Sequence, residues 1–179
     1  NSFIENELIE NPYLREQFED KFISATNYVF SFNNQKIYKP INHTYIKGKA
    51  EFSGNLLSAI APMLSFKQNE KDQYVIFNNS FSQYVRIDLD VRRYIILTKD
   101  NTVVLRGFCG VGYSYDNSEE LPIQKQFFSG GVNSIRAWEA FGLGPGSSTD
   151  LNNYSTGDIK LEFNIEYRFP FVNSLKSAL

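Results

Sequence analysis

The chain holds few groups that could do covalent chemistry. His43 is its single histidine, so a hydrolase triad or a histidine metal site would have to be built around it. It stands at a strand start with no nucleophile-elbow sequence nearby, and it reads as a loop-edge residue. Cys109 is the single cysteine, which rules out a disulfide within the chain and argues against a cysteine metal site. It reads as a small buried or lipid-facing residue. Gly107, Gly110 and Gly112, in RGFCGVGYSY, lack the lysine and the following helix of a phosphate cradle. Glycines inside a strand mark a bend, a bulge or the close approach of another segment. Gly110 and Gly112 leave room for something to lie against them, and Phe108 fits as packing for the same object. The acidic pairs Asp88/Asp90 and Glu162/Glu166 have arginines on their own faces. They read as mutually balanced charges rather than as a general acid and base. The expectation is no enzyme, no metal and no cofactor.

The stretch FFSGGVNSIRAWEAFGLGPGSS, residues 127–148, is of another kind. It has the glycine density of a flexible loop, with Gly130, Gly131, Gly142 and Gly144. Yet it carries the only tryptophan, Trp138, and an arginine set among apolar residues. The tetrapeptide Ile135-Arg136-Ala137-Trp138 suits a loop that folds into a barrel and anchors there. The arginine would be held in a fork by a lumen carboxylate. The aromatic would pack against the inner wall or the strand glycines.

Such a loop needs a wall, and period-two alternation supplies one. In DIKLEFNIEYRFPF, Leu161, Phe163, Ile165, Tyr167, Phe169 and Phe171 share one face, with Lys160, Glu162, Asn164, Glu166 and Arg168 on the other. Val85, Ile87, Leu89 and Val91 oppose Arg86, Asp88, Asp90 and Arg92. Ile46, Gly48, Ala50 and Phe52 oppose Lys47, Lys49, Glu51 and Ser53. Val103, Leu105, Cys109 and Val111 oppose Arg106, Gly110, Gly112 and Ser114. A fifth segment, around Phe22 to Phe32, puts Tyr28, Phe30 and Phe32 together, with a weaker polar face.

Alternation alone fits a half-buried soluble sheet as well as a barrel wall. Length favours the wall. The clearest segments exceed the usual strand of about 5–6 residues and match the roughly 9–11 that a tilted strand needs to cross a bilayer. The connections alternate between short (around Lys99-Asp100-Asn101, and Gln35 to Asn42) and long (Leu57 to Phe81, and Asn117 to Gly157). An up-and-down outer-membrane barrel has short periplasmic turns and long outside loops, which puts residues 127–148 outside. In NPYLREQFEDKF, the residues after Asn11 and Pro12 predict a short surface helix.

Composition agrees with an all-β chain. Among 179 residues there are sixteen Phe and eleven Tyr but one Met, a balance that favours strands. The formal net charge of −2 gives no footprint for nucleic acid. The start NSFIENELIE is not a signal peptide, and no apolar run is long enough for a transmembrane helix. Both ends read as cuts through a longer protein.

FFSGGVNSIRAW, LGPG and GDIKLEFNIEYRFPF together resemble the C-terminal barrel of the Omp85 superfamily of bacterial surface antigens. The wording is most similar to TamA-like lipoprotein assembly factors of Bacteroidetes. The resemblance is strongest over residues 120–171. The family's sixth outside loop carries Val or Ile, then Arg, Gly, and Phe or Tyr; Ala137 and Trp138 depart from that form. The family arginine meets an acidic residue of the following strand in a Glu-x-x-x-Pro context, which implies Glu166 here, ahead of Pro170. Parity independently puts Glu166 on the polar face, and Glu162 is the fallback partner. The resemblance implies an antiparallel up-and-down barrel of sixteen strands in the outer membrane, of which residues 1–179 form one partial domain without the periplasmic POTRA domains. It implies non-enzymatic assembly, insertion or translocation of proteins. The partners implied are outer-membrane lipid, client outer-membrane proteins, and periplasmic accessory factors of the TamB-like or Bam-type lipoprotein kind, with no nucleic acid. A porin or receptor barrel, an outer-membrane phospholipase built on His43, and a soluble sheet are the alternatives.

Overall fold

The computed structural model describes residues 21–69, 71–76, 79–144, 155–172 and 175–178. The helix expected from Asn11 falls on residues outside these up to position 20. Phe22, at its end, is described and forms a parallel bridge with Phe81.

Six strands form one antiparallel meander. They are β1 (Ala25–Asn33), β2 (His43–Ser53), β5 (Tyr84–Ile96), β6 (Thr102–Ser114), β9 (Ile159–Val172) and β10 (Leu175–Ala178), hydrogen-bonded in that order. Two small two-stranded sheets sit in the long connections: β3 (Val75–Ile76) with β4 (Asn79–Ser80), and β7 (Phe127–Phe128) with β8 (Thr156–Gly157). The fold is all-β with a single short α-helix, Asn55–Ile60, among the described residues. The five strands read from alternation are present. β10 was not expected, because four residues are too few to show a period. The helix was not expected either. It begins after Gly54, whose φ of 75° turns the chain out of β2, and its one and a half turns leave no helical pattern to read.

Each register keeps the faces continuous. Lys49 lies opposite Asp88, which lies opposite Gly110, which lies opposite Lys160. One row further, Lys47, Asp90, Phe108 and Glu162 align. The faces are inverted relative to a soluble sheet. Phe163 is 67 % exposed, whereas its neighbour Glu162 is 7 % exposed. Ile87, Leu89, Val111, Leu161 and Ile165 are exposed on the Phe163 side, while Glu51 and Asp90 are buried on the other. An apolar outer face and a charged inner face are what a barrel wall presents to lipid and lumen. β5 and β6 have 13 residues each and β9 has 14.

The connections sort to the two ends of the strands as expected. The turn between β5 and β6 is closed by the Leu97 and Thr98 N–H groups on the Asn101 carbonyl. The long connections, 54–83 and 115–158, share the other end. Asn117 joins them there. Its amide oxygen accepts from the Tyr74 N–H at 2.6 Å, and its amide nitrogen donates to the carbonyls of Tyr74 and Phe81. The apolar core lies at this mouth, from Ala61, Phe81, Tyr84, Leu121 and Phe127.

Candidate functional site

The connection between β6 and β9 does not stay at the mouth. It runs down the inner wall, and the wall's own residues explain the path. Gly112 and Gly110 face inward on β6 and leave two hollows. Leu121 fills the first and Phe127 the second. A Cβ on either glycine would stand 2.5 Å from the leucine methyl or the phenylalanine ring. The Arg86 guanidinium lies 4.2 Å from the Phe127 ring centre, and Phe108 meets the same ring edge-on. The expected packing of Trp138 on these strand glycines is not made, because Leu121 and Phe127 fill the hollows. Trp138 is 54 % exposed. Phe127 takes the place because β7 pairs with β8 beside the start of β9, which fixes it at the level of the hollows.

Below Phe127 the chain closes into a small lobe. The Phe141 N–H donates to the Ser129 carbonyl, and the Gly131 N–H to the Trp138 carbonyl. Gly130 and Gly131 have φ of 97° and 86°, and a Cβ on Gly130 would lie 1.9 Å from the Glu139 carbonyl oxygen. Both conformations need glycine. Gly142 packs against the same carbonyl without a positive φ, and Gly144 is exposed at the edge of the described residues. The Trp138 N–H donates to the Ile135 carbonyl at 3.1 Å. Ile135-Arg136-Ala137-Trp138 is therefore one β-turn with Arg136 and Ala137 at its centre. Neither central residue has a positive φ. That is the physical reason alanine serves at a position where the resembling family carries glycine.

Charged and polar side chains of the wall meet this lobe. The Asp90 carboxylate accepts from Arg92 Nε at 2.8 Å and from Arg106 Nε at 2.9 Å. Arg106 Nη1 reaches Glu162 Oε1 at 2.7 Å and the Asn133 carbonyl at 2.8 Å. Glu162 also holds Lys160 at 2.9 Å and accepts from the Ser134 hydroxyl. Higher on the wall, Lys125 Nζ lies 2.6 Å from Glu51, which also accepts from the Tyr84 hydroxyl and from Lys49. At the tip, Arg136 Nη2 lies 2.5 Å from Glu166 Oε2. The other oxygen of Glu166 accepts from Arg168 Nε. The expected two-pronged fork is thus not made, because Arg168, two residues along the same face, occupies the second oxygen. Glu162, the fallback partner, does not touch Arg136; its donors are Arg106, Lys160 and Ser134.

Other candidates fall away from this region. His43 stacks on Tyr94 at 4.3 Å near the short-turn end. Cys109 is exposed on the outer face. Ser134, Lys125 and Leu121 do not stand out in the sequence, and Phe127 stands out only as one of several aromatics in a glycine-rich loop. Lys160 and Arg106 were placed inward by parity alone. These residues, with their wall and lobe, fall within one family model: residues 15–179 match the Omp85 superfamily domain.

Proposed function

The chain belongs to the Omp85 superfamily, and from that premise we propose that it forms part of a sixteen-stranded outer-membrane barrel that assembles or translocates other proteins without enzymatic chemistry. Membership supports outer-membrane location and work in protein assembly or translocation at the level of the superfamily. The finer role proposed is that of a TamA-like or BamA-like factor, with client outer-membrane proteins on one side and periplasmic accessory factors on the other. Long loops face outside and short turns face the periplasm. The observation that carries the reading is Arg136, at the tip of a loop laid along the inner wall, 2.5 Å from Glu166. We read this as a lumen latch that sets the turn at the loop tip in the conformation the barrel needs when a client strand or chain passes.

The test uses the full-length protein in liposomes and a purified outer-membrane barrel as client, with folding followed by heat-modifiable gel mobility. The wild type accelerates client folding or passage, and Arg136→Ala slows it while the host barrel remains folded. A wild-type barrel that conducts small solutes but leaves client folding and passage unaccelerated would support the porin alternative.

A further inference from the structure

We propose that Ser134 and Glu162 form the joint that fixes how deeply the loop sits, while Arg136 orients only the turn at its tip. The inference rests on the reading of a loop docked in the lumen, and it divides the labour within that loop.

Burial separates the two contacts. The side chain of Glu162 is 3 % exposed and those of its partners Lys160 and Arg106 are 13 % and 19 % exposed. Arg136 is 61 % exposed. A carboxylate withdrawn from water has to be compensated by donors. Glu162 has Arg106 on one oxygen and Lys160 with the Ser134 hydroxyl on the other. Glu166 keeps Arg168 when Arg136 is lost, so it is never left alone.

The contacts made by the lobe backbone point the same way. The Asn133 carbonyl accepts from Arg106 at 2.8 Å, and the Ser134 carbonyl accepts from the Asn164 amide at 3.4 Å. Lys160 Nζ donates to the Phe128 carbonyl at 2.8 Å and to Ser134 Oγ at 3.1 Å. The Ser134 oxygen therefore donates to Glu162 and accepts from Lys160 at once. A hydroxyl can do both; a methyl group can do neither. Side chains from β6 and β9 converge on these two consecutive loop residues, and Asp90 of β5 braces Arg106 from behind. Two residues further on, Arg136 makes one side-chain ion pair among the described residues, in more open surroundings.

The experiment uses the full-length protein in the membrane of intact cells, with chymotrypsin added outside. The loop offers Phe127, Phe128, Trp138 and Phe141 as cleavage points, and heat-modifiable mobility reports the folded barrel. Ser134→Ala and Glu162→Gln are expected to raise cleavage in the loop about tenfold or more, the scale of a lost hydrogen bond to a charged group. Ser134→Thr keeps the hydroxyl and should remain protected. Arg136→Ala should raise cleavage by less than about fivefold, as for an exposed ion pair. Should Glu162→Gln fail to fold, Ser134→Ala decides alone, since it leaves the ion pairs of the wall intact. The proposal is overturned if Ser134→Ala stays protected while Arg136→Ala is cut, or if Ser134→Thr is cut as fast as Ser134→Ala. A wild-type loop already cut as fast as Ser134→Ala would overturn the docked loop itself, and the proposed latch with it.

Discussion

The two faces of the sheet are built on different principles. On the outer face, Leu161, Phe163 and Ile165 stand exposed, and nothing lies within 4 Å of a Cβ placed on outward Gly107. On the inner face, Gly110 and Gly112 are covered by a distant segment, and Asp90, Glu162 and Glu166 are each held by at least two cations or donors. One face is a uniform surface in which each residue acts by itself. The other is a set of specific pairs made between residues far apart in the chain. Glu162 and Ser134 are 28 positions apart, and Glu162 and Arg106 are 56 apart. Substitutions on the two faces should therefore fail differently.

The largest contrast comes from charge. Phe163→Arg or Leu89→Arg places an ion against lipid near mid-strand and should cost about 2–4 kcal/mol, read by denaturant titration in liposomes. Asp88→Asn on the inner face keeps shape, gives up a 3.9 Å ion pair with Arg86, and should cost far less. Equal costs would erase the distinction between the faces. Next in size is a volume change. Gly110→Val forces a side chain into the Phe127 ring and should cost about 1–3 kcal/mol, as overpacking does. Gly107→Ala on the same strand, facing open space, should stay within about 0.5 kcal/mol of wild type. The reverse order would mean that Phe127 does not occupy the hollow. The smallest effect belongs to the tip. A double-mutant cycle of Arg136→Ala with Glu166→Gln should give a coupling of about 0.5–1 kcal/mol, because the arginine is largely exposed and Glu166 retains Arg168. A coupling well above that range would make Arg136 the main anchor and Ser134 secondary.

The same difference explains what the sequence disclosed. The outer face can be read from each strand alone, since alternation in 84–96 or 159–172 needs no knowledge of partners. Parity likewise put Lys160, Glu162 and Glu166 inward. The all-β meander and the sorting of short and long connections followed from segment length and turn residues. What lies on the inner face was not legible in the same way. Phe127 and Leu121 have no local mark that distinguishes them from Trp138 as fillers of a hollow, because the choice depends on how far β7 holds the loop from β9. Ser134 is an ordinary loop serine until Glu162 and Lys160 are brought beside it. The pairing of Arg136 with Glu166 was suggested by resemblance and by the parity of Glu166, but the competing claim of Arg168 on that carboxylate depends on side-chain geometry. The helix Asn55–Ile60 and strand β10 were too short for either period to show.

The turn Ile135–Trp138 sits low on the wall, beside Glu166, and not in outside solvent. Spin labels on Ala137→Cys and Asp100→Cys, in a Cys109→Ala background of the full-length protein in liposomes, measure this depth by pulsed electron spin resonance. Glu166 lies opposite Val104, four residues from Asp100, so at ~3.3 Å per residue the labels should be about 15–20 Å apart. A loop tip in outside solvent would be separated from Asp100 by at least the 13 residues of β6, about 40 Å or more. A single population at the longer distance would contradict the docked loop.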